Sequence, residues 1–185
     1  MDDPALDARI AEYQEAFSWL RRPRLISIAA VQGHAVGAGF QLALACDLRV
    51  LSDDASLAMR ETSLGLVPDL GGTSPLVAAV GYSRALEICV TGRWIGAVEA
   101  RELGLATIVV PLRELEAAVA DLVSAVTAAP YEAVTATKSL LLGAATTAHV
   151  EQLREERIAQ AARIRRLAAS GRGNHSGAGG VGPHR

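Results

Sequence analysis

The sequence is poor in several residue types, and each shortage narrows the classes of protein to which it can belong. Aromatic residues make up only 4% of its 185 residues, so the core must be built mainly from Ala, Val, Leu and Ile, which favour closely approaching elements. Positive charge is not in excess, because 18 basic and 20 acidic side chains leave a formal charge of -2. Such a chain has no general attraction for phosphate backbones, and we expect no nucleic acid partner.

Cysteine is scarce as well, since Cys46 and Cys89 are the only two in the sequence. Both lie in apolar runs, which favours free thiols over a disulfide, and no spacing typical of metal ligands is present. The sequence also lacks an apolar run of the roughly 18 residues that span a bilayer. Its acidic start at residues 1–4 differs from the basic start of a secretion signal. We therefore expect a cytoplasmic protein without a metal ion or a membrane partner.

The patterns that are present indicate an α/β fold followed by a helical C-terminal part. Asp3 as N-cap and Pro4 in the first turn begin an amphipathic helix over residues 2–20. Strands are predicted at 25–31, 48–51 and 105–110, and helices at 40–46, 73–80, 83–90, 97–103, 112–128, 131–142 and 148–169. These patterns divide the chain into an N-terminal helix (1–22), an α/β core (23–110), a helical region (111–169) and a glycine-rich tail (170–185) predicted to be disordered.

Small residues at positions 37–39 stand between a predicted strand and a predicted helix. The unpaired N–H groups of a helix N-terminus favour an anion, so this turn could hold a phosphate or an oxyanion. Neither the dinucleotide-binding glycine pattern nor the P-loop pattern is complete here. Taken alone, three small residues before a helix more often serve close packing of strand against helix than a binding site.

An irregular segment at residues 60–73 carries Glu61 and Asp69 in otherwise apolar surroundings. Such surroundings suit a carboxyl group to general acid or base work. Structural roles are the alternative, with Asp69 ending a turn and Glu61 pairing with an arginine. Gln41 could hydrogen bond toward the same cleft or be a plain helix residue, and His34 could be catalytic or a surface residue.

Three segments taken together are more specific than any of these features alone. Residues 23–47 resemble the first signature of the enoyl-CoA hydratase/isomerase family, the crotonases, and residues 64–73 resemble its second. Thr91-Gly92 followed by residues 100–106 is similar to a third run of that family. The resemblance covers roughly residues 5–168. It implies a spiral of repeated strand-strand-helix turns with C-terminal helices that assemble a homotrimer or a hexamer.

The same resemblance implies an acyl-CoA thioester as substrate, with coenzyme A as part of that substrate and no separate cofactor. The backbone N–H of Ala38 would be one donor of an oxyanion hole, and Glu61 would be an acid/base for adding water to a 2-enoyl-CoA. Gln41 stands where hydratases carry a second glutamate, and it can orient a water but cannot take up its proton. Asp69 stands where isomerases of the family carry their acid. The other positions expected to line the substrate are His34, Val36, Gly37, Gly39, Pro68 and Gly71.

Two departures from the family pattern leave the function open. Members carry a longer segment before the position of Pro23, and it supplies their second oxyanion donor, so we expect an N-terminally truncated member with an incomplete spiral. Their C-terminal aromatic and basic segment is replaced here by residues 171–185. Three functions are therefore retained: a hydratase of the kind found in fatty-acid β-oxidation, an isomerase that moves the double bond from C3 to C2 by means of Asp69, and a non-catalytic fragment that only associates with other chains.

Overall fold

Strand and helix alternate through the first part of the chain and give way to helices alone. The computed structural model describes residues 3–173 and the side chains of residues 3–169. Its strands are β1 (Ile28–Val31), β2 (His34–Val36), β3 (Leu48–Ser52), β4 (Ser56–Ala58), β5 (Ile95–Gly96) and β6 (Ile108–Val110). Its α-helices are α1 (Pro4–Ser18), α2 (Ala38–Ala45), α3 (Thr73–Val80), α4 (Tyr82–Thr91), α5 (Ala97–Glu102), α6 (Leu115–Ala128), α7 (Tyr131–Ala144) and α8 (His149–Gly173).

The strands form two small sheets, and successive strands enter them in turn. The first sheet has the order β1-β3-β6, with both neighbouring pairs parallel. In the second, of order β2-β4-β5, β2 and β4 are parallel and β5 is antiparallel to β4. Of the consecutive strands β1 and β2, the first lies in one sheet and the second in the other, and α2 follows them. The same holds for β3 and β4, which are followed by α3. This is the repeated strand-strand-helix pattern that the sequence predicts.

The chain divides into two compact units, Met1–Ala128 and Ala129–Arg185. Helix α6 belongs with the strands, because it packs against β1 and β3. The boundary predicted between 110 and 111 consequently lies inside the first unit. Among the described residues of this unit, ten apolar side chains larger than alanine are 2% exposed or less, and burying each typically contributes about 1.5–3 kcal/mol; they are Phe40, Leu44, Val50, Leu51, Leu57, Met59, Leu76, Ile88, Ile95 and Leu105.

Helix α1 begins as predicted. Asp3 has extended backbone and its Oδ1 accepts hydrogen bonds from the N–H groups of Ala5 and Leu6, at 3.0 and 3.2 Å, and Pro4 is the first helical residue. Strand β1 is shorter than the predicted 25–31. Just before its start, the N–H of Ser27 donates to the Asp47 carboxylate at 2.8 Å, while the Ser27 carbonyl accepts from the Leu48 N–H at 3.1 Å.

Helix α2 carries Ala38 and Gln41, and Arg49 secures its C-terminal end. The Arg49 Nη1 donates to the carbonyls of Cys46 and Ala43 at 2.8 and 3.3 Å, and its Nε donates to the carbonyl of Leu105 at 2.6 Å. Desolvation by burial lowers the pKa of this guanidinium. Two carbonyls at the C-terminal end of α2 are thereby satisfied by a side chain from β3.

The second unit contains α7 and α8. Glu132 on α7 forms ion pairs with Arg163 and Arg166 on α8. Helix α8 continues to Gly173, beyond the predicted end at 169, and the rest of the predicted tail, 174–185, lies outside the described residues. Within residues 3–173 no single helix has the length and apolar character needed to cross a membrane, although the segments Leu112–Ala128 and Tyr131–Ala144 together reach that length and composition across a break.

Candidate functional site

The N-terminus of α2 presents backbone N–H groups beside a glycine turn. Gly37 precedes the helix with φ 51° and ψ -115°, a conformation that favours glycine, and its N–H donates to the carbonyl of Ala58 at 2.9 Å. Among the described residues no side chain caps the helix there, and Ala38 and Gly39 are exposed. The first-turn N–H groups have no acceptor within the helix and lie at its positive end. The oxyanion donor expected at Ala38 stays a prediction.

Gly37 also leaves room for the side chain of Glu61. A Cβ at position 37 would lie 3.3 Å from the Glu61 Oε1 and 3.6 Å from its Cδ. These distances bring the carboxyl group against the turn that begins α2. The structure thus places two of the predicted site residues side by side.

Glu61 begins a 3-10 helix, Glu61–Leu64, and is only 9% exposed. Its Oε1 accepts a hydrogen bond from the Gln41 Nε2 at 2.7 Å. Its Oε2 is buried and has no hydrogen-bond partner among the described residues. A buried polar atom without a partner is uncommon and costs stability, so this oxygen is the best candidate for proton exchange with a ligand.

Gln41 joins Glu61 to the loop that follows. Its side chain is 1% exposed, and its Oε1 accepts hydrogen bonds from the N–H groups of Leu70 and Gly72 at 2.9 and 3.2 Å. The carboxamide of Gln41, on α2, therefore hydrogen bonds to the Glu61 carboxyl group and to the backbone of Leu70 and Gly72 at the same time. The sequence predicts Gln41 in the site, and the structure places it beneath the loop.

Gly72 is a site residue that the sequence analysis missed. A Cβ at this position would lie 2.7 Å from the Gln41 Cγ, which is closer than packed atoms approach, and 3.1 Å from its Oε1, which is a tight contact. Its backbone, with φ -73° and ψ -21°, is one that any residue adopts. Contact with Gln41, and not backbone conformation, is what requires glycine here.

Asp69 lies at the edge of the same loop. Its carbonyl accepts a hydrogen bond from the Gln14 Nε2 of α1 at 2.7 Å, while the N–H of the following residue, Leu70, is held by Gln41. Asp69 is partly exposed, as is Pro68, and Gly71 is exposed with φ 84°. The peptide unit that joins Asp69 to Leu70 is thus tethered at both its carbonyl and its N–H.

His34 has a ring partner that the sequence did not reveal. At the start of β2 it is exposed, and its ring centroid lies 5.0 Å from that of Trp94. The Arg60 guanidinium lies 5.9 Å above the Trp94 ring and donates to the carbonyl of Gly92 at 2.9 Å. Val36, also exposed, ends β2 just before Gly37. The described contacts of His34 are those of a surface stack and do not include Glu61 or Gln41.

The pKa of the Cys89 thiol depends on the charge of Glu61. The pKa of its thiol is raised, first by burial and then by the negative charge of Glu61, and the Thr62 hydroxyl donates to the Cys89 carbonyl at 2.6 Å. Glu61→Gln removes that charge, so we expect the thiol pKa to fall and alkylation of Cys89 to become faster at mildly alkaline pH. Mass spectrometry of iodoacetamide labelling against pH, in a Cys46→Ser background, measures this. Identical rate profiles for the two proteins would contradict the placement of Glu61 near the thiol.

Comparison with known proteins supports the fold. A Thermobifida fusca YX protein crystallised with acetoacetyl-CoA is 57% identical with a TM-score of 0.86, over 88% of this chain and 64% of that one. A Mycobacterium bovis relative named "probable enoyl-CoA hydratase" is 38% identical over 109 residues, 59% of this chain and 42% of the relative. The peroxisomal Delta(3,5)-Delta(2,4)-dienoyl-CoA isomerase of Arabidopsis thaliana is 36% identical over 138 residues, 74% of this chain and 50% of the isomerase.

The chain thus spans about half of these curated relatives and less than two thirds of the solved structure. The predicted crotonase-like α/β fold is confirmed by the structural likeness. The family model described as Enoyl-CoA hydratase/isomerase matches residues 6–170. Those residues include the turn at Gly37, the Gln41 and Glu61 pair and the loop at 69–72, and the chain belongs to the enoyl-CoA hydratase/isomerase family.

Proposed function

We propose that this chain binds the thioester end of an acyl-CoA and hydrates 2-enoyl-CoA thioesters. The observation that carries the proposal is the buried Oε2 of Glu61, which lies beside the N-terminus of α2 and has no hydrogen-bond partner in the part of the chain that the structure describes. A carboxyl oxygen able to exchange a proton and a helix end able to hold an anion are the two elements that this reaction needs. Acetoacetyl-CoA in the Thermobifida fusca YX structure supports a CoA thioester as the ligand.

In the proposed reaction the Ala38 N–H donates to the thioester carbonyl oxygen. Water loses a proton to the Glu61 Oε2 while its oxygen bonds to C3. The electron pair of the C2=C3 double bond then forms a C1=C2 double bond, and that of the C1=O double bond moves onto the carbonyl oxygen. The enolate so formed is stabilised by the Ala38 N–H and the helix end. Glu61 then returns a proton to C2, the carbonyl forms again, and the product is a 3-hydroxyacyl-CoA.

A second candidate function is isomerisation by Asp69. Its loop is tethered beside Gln41 by the Leu70 N–H and by Gln14, and a peroxisomal dienoyl-CoA isomerase matches 74% of the chain. Asp69 would take a proton from C2 of a 3-enoyl-CoA and return one to C4, which moves the double bond to C2=C3. The enolate would again be held by the Ala38 N–H.

Absorbance of the conjugated enoyl thioester distinguishes the two reactions. We expect absorbance to fall when the protein is added to a 2-enoyl-CoA, because hydration removes the conjugated double bond. A rise with a 3-enoyl-CoA would instead show isomerisation, because that double bond becomes conjugated with the carbonyl. If neither signal changes while acyl-CoA binding is measurable by calorimetry, both catalytic proposals fail and the non-catalytic alternative is supported.

A further inference from the structure

We infer that Gln41 is a positioning residue that holds Glu61 and the 70–72 loop in one hydrogen-bonded unit, and that it does not receive the reacting water. A carboxamide oxygen has two lone pairs. Both are used at Gln41, by the N–H groups of Leu70 at 2.9 Å and Gly72 at 3.2 Å. No acceptor remains on this side chain for a water O–H. We therefore infer that Gln41 does not accept a hydrogen bond from the reacting water, and the broader prediction that it orients a water stays untested.

The carboxamide also decides which oxygen of Glu61 can act. The Gln41 Nε2 lies 2.7 Å from Oε1 and donates to it, whereas Oε2 has no partner among the described residues. A carboxyl group held at one oxygen by a side chain that is itself held at two points has little freedom to rotate. Proton transfer is thereby confined to Oε2. Glu61 would then be the one carboxyl group that exchanges a proton with the substrate, because Gln41 stands where hydratases of the family carry a second glutamate.

The same contacts join Glu61 to the loop that carries Asp69. The backbone N–H groups on either side of Gly71 bind one oxygen atom, so loop position and carboxylate orientation depend on the same side chain. Burial of Gln41, at 1% exposure, protects these hydrogen bonds from competition with water. Loss of the carboxamide is expected to loosen loop and carboxylate together.

Amide hydrogen exchange tests the positioning role directly and does not depend on the proposed function. Gln41→Met keeps the length of the side chain and removes its hydrogen bonds, and we expect exchange at Leu70 and Gly72 to become about tenfold faster or more. The Leu48 N–H, which donates to the Ser27 carbonyl at 3.1 Å, serves as the internal control and should be unchanged. Native exchange at Leu70 and Gly72 in this variant would overturn the inference.

Gln41→Glu provides a second variant that keeps the acceptor for the loop. Amide hydrogen exchange at Leu70 and Gly72 should stay close to that of the native protein in this variant. Native-like exchange would also show that a substitution at position 41 does not by itself unfold the protein. Two carboxyl groups at hydrogen-bond distance must share a proton, so the pH-rate profile of the variant should gain a second ionisation. A profile that superimposes on the native one would overturn the inference.

The kinetic arm rests on the proposed hydration. We expect Gln41→Met to lower kcat between about ten- and a hundredfold with little change in KM, because a misplaced catalytic group slows the chemical step. A rise in KM with kcat unchanged would show that Gln41 contacts substrate and would overturn the positioning role. If the native protein has no turnover, the proposed function fails while the exchange experiment still decides the role of Gln41.

Discussion

Glu61→Gln is expected to lower the rate of 2-enoyl-CoA hydration by between about a hundred- and ten-thousandfold, the usual contribution of a general acid/base. Glutamine has nearly the same shape, and its Oε1 can still accept the hydrogen bond that the Gln41 Nε2 donates at 2.7 Å. What the variant lacks is an oxygen able to take up and return a proton. Initial rates at saturating and at low substrate give kcat and kcat/KM, and both should fall.

Glu102→Gln is the matched control, because Glu102 is exposed on α5 and the same chemical change there should leave the rates as they are. Comparison with Asp69→Asn separates the two proposed reactions. Hydration by Glu61 predicts that Glu61→Gln is the more damaging on a 2-enoyl-CoA. If Glu61→Gln keeps native hydration rates, Glu61 is not the acid/base and the proposal in that form is refuted.

Gly72→Ala should disrupt the site without touching a carboxylate. The added Cβ would lie 2.7 Å from the Gln41 Cγ and 3.1 Å from its Cβ, so one of the two buried residues must move. Overpacking of this kind typically costs about 1–3 kcal/mol in the free energy of unfolding. Urea unfolding measures the loss, and we expect hydration to weaken with it because Gln41 can no longer hold both Leu70 and Glu61.

Gly96→Ala is the control for that substitution. Gly96 also has φ -73°, and a Cβ there would meet no atom within 4 Å, so its effect on stability should be small. Gln41→Ala removes the Cγ that causes the clash, and in that background Gly72→Ala should cost clearly less than in the native chain. Additive effects of the two substitutions would show that the clash is not the cause.

Much of the fold can be predicted because its longer elements carry local signals. The cap at Asp3 and the proline that follows define the start of α1, and the apolar runs of the helices indicate their bounds within a few residues. The strands β2 and β5 have three and two residues. No periodicity can be read over so short a length, and their pairing depends on β4, which lies far away along the chain.

The sequence pointed to several residues of the candidate site, but it did not reveal the hydrogen bonds between them. Family resemblance indicated Gln41 and Glu61, but the contact between Gln41 and the N–H groups of Leu70 and Gly72 spans 29 and 31 residues of sequence. Every residue except proline has a backbone N–H, so the types of side chain in a sequence do not show which N–H groups bind Gln41. Gly72 was not predicted as a site residue for the same reason. The need for glycine there arises from its contact with the Gln41 side chain, which the sequence does not reveal.

The hydrogen bonds of Arg49 at the C-terminal end of α2 indicate which substitutions at position 49 the helix can tolerate. An eight-residue helix is only about 12 Å long, so an anchor at one end determines where the other end lies. Arg49 is that anchor, through the carbonyls of Cys46 and Leu105, and Ala38 is at the opposite end. A lysine there keeps the charge yet cannot reproduce the planar fork of donors. Arg49→Lys conserves charge, yet it would lose the contacts that fix the end of α2 opposite Ala38.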